Sequence, residues 1–391
     1  MKITILGPIL SSDLISLISK KDLNKIPSGH GVSHLSNLAI TLIKMGHSVT
    51  IITLSPDVKD KKIIIYQNKK IKIYFCSLRK SIFRLRGILF KQEVELLTKA
   101  ILRENPQIIH ANWIYEYAFA AINSKKKYIL TTHDIPNKIF NYQKTILRLI
   151  RLIMGKISLN KSKIITAPSI YAKTETQKLT CSKISVISNT ALNDKLLKRK
   201  LINRKLSKNI KVIMINNGFN NFKNIKTGLI AFKQFNAKYS NSSLYLIGSE
   251  MKKNQSCYKW AFKNHLINNV KFIGHLNHGK LINILPKFDI LLHTSIEETF
   301  GTIYIEAMIS GLPIIAGKYS GATKEIIKNN GILVDVLNEN EIVRALLRYV
   351  KNPRYWSQKR FTAYRYVKKK FNNFEITKKF LNLYKKNMNY N

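Results

Sequence analysis

The chain has 391 residues, 45% hydrophobic and 23% charged. That composition excludes a disordered chain, a collagen and a coiled-coil rod, and sets a prior of two to three domains. Its 67 Lys and Arg against 21 Asp and Glu leave a net charge of +46, which draws it toward nucleic acid, a negative membrane surface or phosphorylated substrates. Lys, Asn and Ile crowd every segment, so AT-rich coding drift is a competing source of the charge. The three cysteines, Cys76, Cys181 and Cys257, are far apart and form no C-x-x-C. They signal neither disulfides nor zinc and fit a reducing, cytoplasmic setting. No apolar run reaches about 18 residues, the length a bilayer span needs. Met1 to Leu10, with its Gly7-Pro8, reads as a first strand rather than a leader.

In chain order, Lys2 to Leu6 is a buried strand, followed by the loop Ser28-Gly29-His30-Gly31 and a helix from Val32 to Met45 that stops at Gly46. Strands are expected at Val49 to Leu54, Ile71 to Cys76, Ile108 to Ala111, Tyr128 to Thr132 and Lys163 to Ala167. The rhythm breaks over 191–209, a Lys- and Arg-rich linker. It resumes with strand Val212 to Ile215, helix Ile225 to Lys238 and strands Leu244 to Ile247 and Val270 to Ile273. Helix Lys280 to Leu285, strand Ile290 to His293, helix Thr302 to Ser310 and strands Pro313 to Ala316 and Gly331 to Val334 follow. Strand–helix alternation in two halves implies parallel sheets covered on both faces. The expected domains are 1–190 and 210–360, with basic helices over 361–391.

Acidic residues are scarce, so the group Glu297, Glu298 and Glu306 stands out. It follows the strand ending at His293, and in open parallel sheets ligands bind beyond the carboxyl ends of the strands. Glu298 then lies on the ligand-facing loop. Phe300-Gly301 makes a tight turn, and the positive end of a helix starting at Thr302 faces an anion. Two carboxylates and a helix N-terminus suit a sugar–diphosphate–ribose ligand; equally, they suit carboxylates that merely support a helix start.

Glu298-x7-Glu306, with Phe300-Gly301, Glu306-Ala307-Met308 and Gly311-Leu312-Pro313, resembles the donor-binding signature of glycosyltransferase family 4. His110-Ala111, Thr132-His133-Asp134, Ala167-Pro168-Ser169, Val186-Ile187-Ser188-Asn189, Phe272-Ile273-Gly274 and Phe288-Asp289 extend the resemblance in the family's order. It implies an α/β chain of two Rossmann-like doubly wound domains facing a cleft, the GT-B fold, with the C-terminal helices crossing back to the first domain. It also implies a retaining glycosyltransferase that moves a sugar from a nucleotide diphosphate sugar to a glycan or lipid-linked acceptor, in cell-surface polysaccharide or lipopolysaccharide assembly.

By the resemblance, Glu306 binds the ribose hydroxyls and Glu298 the donor sugar, helped by backbone at Phe300, Gly301 and Thr302. Lys223, after Gly218, grips the diphosphate. The family's arginine next to that glycine is absent, because Phe219 stands there. Lys226 or another cation replaces it, or activity is reduced. Gly29 and Gly31 match a loop that brings backbone to the donor phosphates, though a simple turn fits as well. His133 resembles the histidine that touches the transferred sugar, and His110 reads as structural. No Asp-x-Asp occurs, so no metal and no cofactor are expected and cations would stabilise the leaving group.

Two basic amphipathic stretches, Lys144 to Lys156 and Ile82 to Phe90, offer attachment to an anionic membrane on its cytoplasmic side. Packing of their apolar faces on the domain's own sheet is the competing reading. A polyanion- or nucleic-acid-binding protein is the alternative from another class, but Lys and Arg spread over the whole chain and no recognition motif appears, so no nucleic acid is expected. A GT-B nucleotide-sugar epimerase or phosphorylase is a further alternative.

Overall fold

The computed structural model describes residues 1–59, 61–78 and 90–389. Two compact units emerge, one of Met1–Ala191 with Asn373–Asn391 and one of Leu192–Asn372. The candidate stretch Ile82 to Phe90 falls outside the described residues except for Phe90.

The first unit is built on β1 (Lys2–Leu6), β2 (Ser48–Ser55), β3 (Ile63–Gln67), β4 (Lys72–Ser77), β5 (Ile108–Asn112), β6 (Tyr128–Thr131), β7 (Ile165–Ala167) and β8 (Ile184–Val186). Their spatial order is β3-β4-β2-β1-β5-β6-β7-β8. The central strands are buried on both faces, as a sheet covered by helices on each side requires. The helix Ser33–Lys44 ends where Gly46 takes a φ of +81°, a backbone state that glycine adopts without steric cost. Strand β3, which sequence pattern does not reveal, pairs antiparallel with β4 at the sheet edge. Its isoleucines are half-buried or, at Ile64, exposed, with lysines on either side of the strand, so alternation is weak there. The turn that returns it is set by Asn68, whose Oδ1 accepts from the amides of Lys70 and Ile71.

The last helix, Asn373–Asn389, packs on this unit. Buried His110 explains part of the attachment: its Nδ1 lies 2.8 Å from Tyr384 Oη and its Nε2 2.7 Å from Thr131 Oγ1. With both ring nitrogens used in the core, His110 is structural, and burial pushes its pKa down to about 3.

The second unit has β9 (Ile210–Ile215), β10 (Ser242–Ile247), β11 (Val270–Gly274), β12 (Ile290–His293), β13 (Ile314–Gly317) and β14 (Ile332–Val334). Every neighbouring pair is parallel, and the order is β11-β10-β9-β12-β13-β14. This is the Rossmann order, third-second-first-fourth-fifth-sixth, with the direction of strand addition reversing between β9 and β12. In such an order the connections leaving the two strands go on to opposite faces of the sheet, and ligands bind beyond the strands' carboxyl ends.

The stretch 191–209, expected as a linker, is instead bound into the second unit from Leu192 onward. The arginines that make it look like a linker fasten it. Arg199 donates to Ser310 Oγ and Ile282 O, and Arg204 donates to Asp289 Oδ1 at 2.7 Å. Buried Arg360 stacks on Trp356 and donates to the carbonyls of Ile202, Arg204 and Gly311. Arg360 lies on the helix Pro353–Lys370, which belongs to this unit. The C-terminal block 361–391 is therefore divided between the two units rather than acting as one. No helix among the described residues is long and apolar enough to cross a membrane.

Asp289 has no exposed surface, and Arg204 is its cationic partner, with Ser207 Oγ and Lys211 N as further donors. Removing one partner of a buried pair leaves an uncompensated charge. Arg204→Met is expected to destabilise the second unit by about 3–5 kcal/mol, seen as a lowered midpoint for its transition in chemical denaturation.

Candidate functional site

In the second unit the loops that follow β9 and β12 are sewn together. Thr294 Oγ1 donates to Lys223 O at 3.2 Å, and Ile296 N donates to Phe222 O at 3.0 Å. This pairing follows from strand adjacency at the reversal point and brings Lys223 to Glu298. Lys223 Nζ donates to Glu298 Oε1 at 2.9 Å and lies 3.4 Å from Ser295 Oγ. His293, the last residue of β12, reaches the same carboxylate oxygen through Nε2 at 3.1 Å. Burial alone would raise the Glu298 pKa. The Lys223 ammonium and the His293 hydrogen bond outweigh it and hold the carboxyl well below the usual carboxylate range.

Gly301 stands at the start of the helix Thr302–Ile309 with a φ of +71°. A Cβ there would come 2.4 Å from the Tyr304 ring, so both backbone and packing require glycine. Thr302 opens the helix, half-buried. The Phe300 side chain is buried and packs edge-on against Phe371. Only its backbone is placed to serve a ligand. One turn into the helix, Glu306 Oε1 lies 2.7 Å from His278 Nε2. The two carboxylates of Glu298-x7-Glu306 thus flank one helix start, and each has a histidine partner.

Gly218, at φ +98°, begins the β9 loop. The amide of Phe219 donates to Glu250 Oε2 at 2.9 Å. The Phe219 ring, which stands in place of the family's arginine, pairs with Trp260 at 5.9 Å. Lys226, the candidate replacement cation, lies over these two rings, 5.8 Å from Phe219 and 5.3 Å from Trp260. Lys223 is the cation that reaches the carboxylate.

The remaining predicted residues, Gly31 and His133, are in the first unit. A Cβ on Gly31 would come 2.1 Å from the Pro8 backbone. The glycine is therefore required by the chain leaving β1, whatever else the loop does. His133 is buried, with Nε2 3.0 Å from Asn112 Oδ1. The Asn112 amide nitrogen donates to His110 O, so its Oδ1 is the acceptor and His133 Nε2 carries the hydrogen. Its Nδ1 has no partner. The ring lies 4.4 Å from Trp113 and 4.7 Å from His34, and burial, then His34 and His110, push its pKa well down. His133 therefore offers a neutral acceptor nitrogen.

His278 and His293 escape motif reading because each is a single histidine on an ordinary apolar or helical pattern. The available signal is position: His293 ends the strand at the reversal point, where ligand-facing residues gather.

The family model for glycosyl transferases group 1 matches residues 198–369, and that for glycosyltransferase family 4 matches residues 31–191. The chain belongs to the GT-B glycosyltransferases of the family 4 type. Its fold matches sucrose-phosphate synthase from Thermosynechococcus elongatus with a TM-score of 0.74 at 18% identity, over 99% of both chains. It also matches HepE of Anabaena in complex with UDP, with a TM-score of 0.65 at 16% identity over 99% of this chain and 100% of that one. Among curated relatives, the gpi3 subunit of phosphatidylinositol N-acetylglucosaminyltransferase from Schizosaccharomyces pombe is 22% identical over 74% of this chain. The match spans 63% of that relative's length.

Within this GT-B glycosyltransferase, the Lys223 charge favours the ionised form of Glu298, so its removal raises the carboxyl pKa. The folded carboxyl titrates below its unfolded value of about 4.3. Its contribution to stability is present above that pH and lost as pH falls toward the folded pKa. Lys223→Met is expected to move the Glu298 carbon-13 carboxyl titration upward and to shrink that acid-dependent loss.

Proposed function

We propose that the protein is a retaining glycosyltransferase that moves a sugar from a nucleotide diphosphate sugar to a glycan or lipid-linked acceptor in cell-surface polysaccharide or lipopolysaccharide assembly. The observation that carries this reading is the placement of Glu298 and Glu306 around one helix start, with Lys223 brought across from the neighbouring strand. Glu306 accepts from the ribose hydroxyls and Glu298 from the donor sugar. Lys223 and the amides at Thr302 stabilise the departing diphosphate, which forms in the low-dielectric site as negative charge and needs donors already in place. The UDP bound to HepE supports a sugar nucleotide as donor.

The donor test is a binding screen of UDP-, GDP- and ADP-sugars with the wild-type chain and Glu306→Ala. Hydrogen bonds to a charged group are worth about 1.5–3 kcal/mol. Glu306→Ala is therefore expected to weaken nucleoside diphosphate binding by about ten-fold or more. A folded variant with unchanged affinity removes Glu306 from the site.

The acceptor side of the proposal includes docking on an anionic membrane. In the helix Ile146–Lys161, Met154, Gly155, Ser158 and Leu159 pack inward. Ile146, Leu149, Ile153 and Ile157 form an exposed stripe, with Lys144 and Lys156 exposed nearby. Arg148 and Arg151 turn instead toward the protein: Arg148 donates to Gln143, and Arg151 covers Tyr115 and lies 3.9 Å from Glu116. The apolar stripe inserts while the lysines meet lipid phosphates, each cation contributing about 1 kcal/mol near such a surface. Leu149→Asp with Ile153→Asp is expected to abolish sedimentation with anionic vesicles while far-UV circular dichroism is unchanged. Equal binding by the variant and the wild-type chain defeats the docking proposal.

A further inference from the structure

We infer that His293 is the positioning residue for Glu298, holding the carboxylate for the donor sugar when Lys223 leaves it for the diphosphate. This rests on the sugar-nucleotide reading above and assigns a part to a residue outside the Glu298-x7-Glu306 signature. The starting point is a conflict of duties. Lys223 Nζ is bound to Glu298 Oε1, yet the reading above also gives the same ammonium to the diphosphate. An ammonium on a four-carbon stem can change partners. The Lys223 backbone cannot follow it, because its amide donates to Asn220 and its carbonyl accepts from Thr294. Exchange of the side chain alone would strip a largely buried carboxylate of its cation.

His293 remains. Its Nε2 donates to the same Oε1 at 3.1 Å, and its side chain is only 3% exposed. The ring is fixed from several directions. Its backbone ends β12, in register with Ala316. The Tyr304 ring meets it edge-on at 5.1 Å, and the Tyr304 hydroxyl is tied to Thr323 Oγ1 at 3.0 Å. Tyr304 can take this place because Gly301 has no Cβ to strike it. The other ring nitrogen, Nδ1, is buried without a partner, so Nε2 is the working nitrogen. The hydrogen bond it makes to Oε1 leaves Oε2 as the oxygen to accept from sugar hydroxyls. Gly301, Tyr304, His293 and Glu298 thus form one line of support that does not pass through Lys223.

The test uses the full chain and compares His293→Leu, which removes the donor, with His293→Gln, whose amide nitrogen can replace Nε2. Turnover and KM with the sugar nucleotide are measured beside the Kd for UDP, GDP or ADP, whichever the wild-type chain binds. His293→Leu is expected to lower kcat by about ten-fold or more, to leave the nucleoside diphosphate Kd within about two-fold, and to be largely rescued in His293→Gln. Wild-type kcat in His293→Leu, equal losses in kcat and nucleoside diphosphate affinity, or a glutamine variant as slow as the leucine one overturns the assignment. If His293→Leu does not fold, nitrogen-15 spectra of the wild-type chain decide. An Nε2–H resonance of His293 that persists on addition of the nucleoside diphosphate supports the role, and its loss overturns it. A wild-type chain that binds no sugar nucleotide sinks the glycosyl-transfer reading and this inference together. One that transfers sugar with His293→Leu equally active sinks this inference alone.

Discussion

The site in the second unit depends on one adjacency, that of β9 and β12. Lys223 and Glu298 are 75 residues apart in the chain and 2.9 Å apart in space. What closes that separation is the order of a parallel sheet. Strands β10 and β11 are added on one side of β9, and β12 returns to its other side. The loops leaving β9 and β12 then meet, joined by Thr294 to Lys223 and Ile296 to Phe222. The Lys223–Glu298 pair follows from the meeting. The cation comes from one loop, the carboxylate from the other, and the helix Thr302–Ile309 follows the second loop.

The charge imbalance gives the scarce carboxylates a second significance. With 21 acidic residues against 67 basic ones, a cation finds an anionic partner only where the fold keeps one. Glu104 is buried at 4% exposure and binds Lys2 and Lys72 beneath the first sheet. Asp289 is fully buried and binds Arg204. Glu298 and Glu306 are the corresponding pair at the carboxyl ends of the second sheet. The first two are closed networks whose donors all come from the protein. Glu298 differs because Lys223 and His293 share one oxygen, which is the arrangement of a carboxylate with capacity to spare.

The first unit handles its polar groups differently. His110, His34 and His133 are all buried, and burial is the first cause of the lowered pKa in each. His110 spends both nitrogens on the core, whereas His133 retains one. The same ring type therefore anchors through both nitrogens in one case and through one in the other, at neighbouring strands. Gly31 carries a related lesson. Its lack of a side chain has a sufficient cause in the Pro8 backbone, so the glycine pattern by itself does not establish contact with a phosphate.

Alternation of apolar runs and helical periods was enough to place most central strands, because strands buried on both faces are the most hydrophobic segments of a chain. Edge strand β3 escaped, since half-buried and exposed isoleucines between lysines carry little alternation. The pair Glu298 and Glu306 was legible because acidic residues are rare here and the spacing spans one loop and one helical turn. Their partners were not: His293 ends an apolar strand, His278 starts a short helix, and neither spacing marks a contact. The 191–209 stretch misled for a related reason. Its Lys and Arg density suggests solvent exposure, yet Arg199 and Arg204 find carbonyls, a hydroxyl and a buried aspartate that come from 83 or more residues further on. Local composition determined which segments bury and how they coil. Which charges meet was decided only by tertiary structure, because strand order brings distant loops together and periodicity along the chain contains no record of that order.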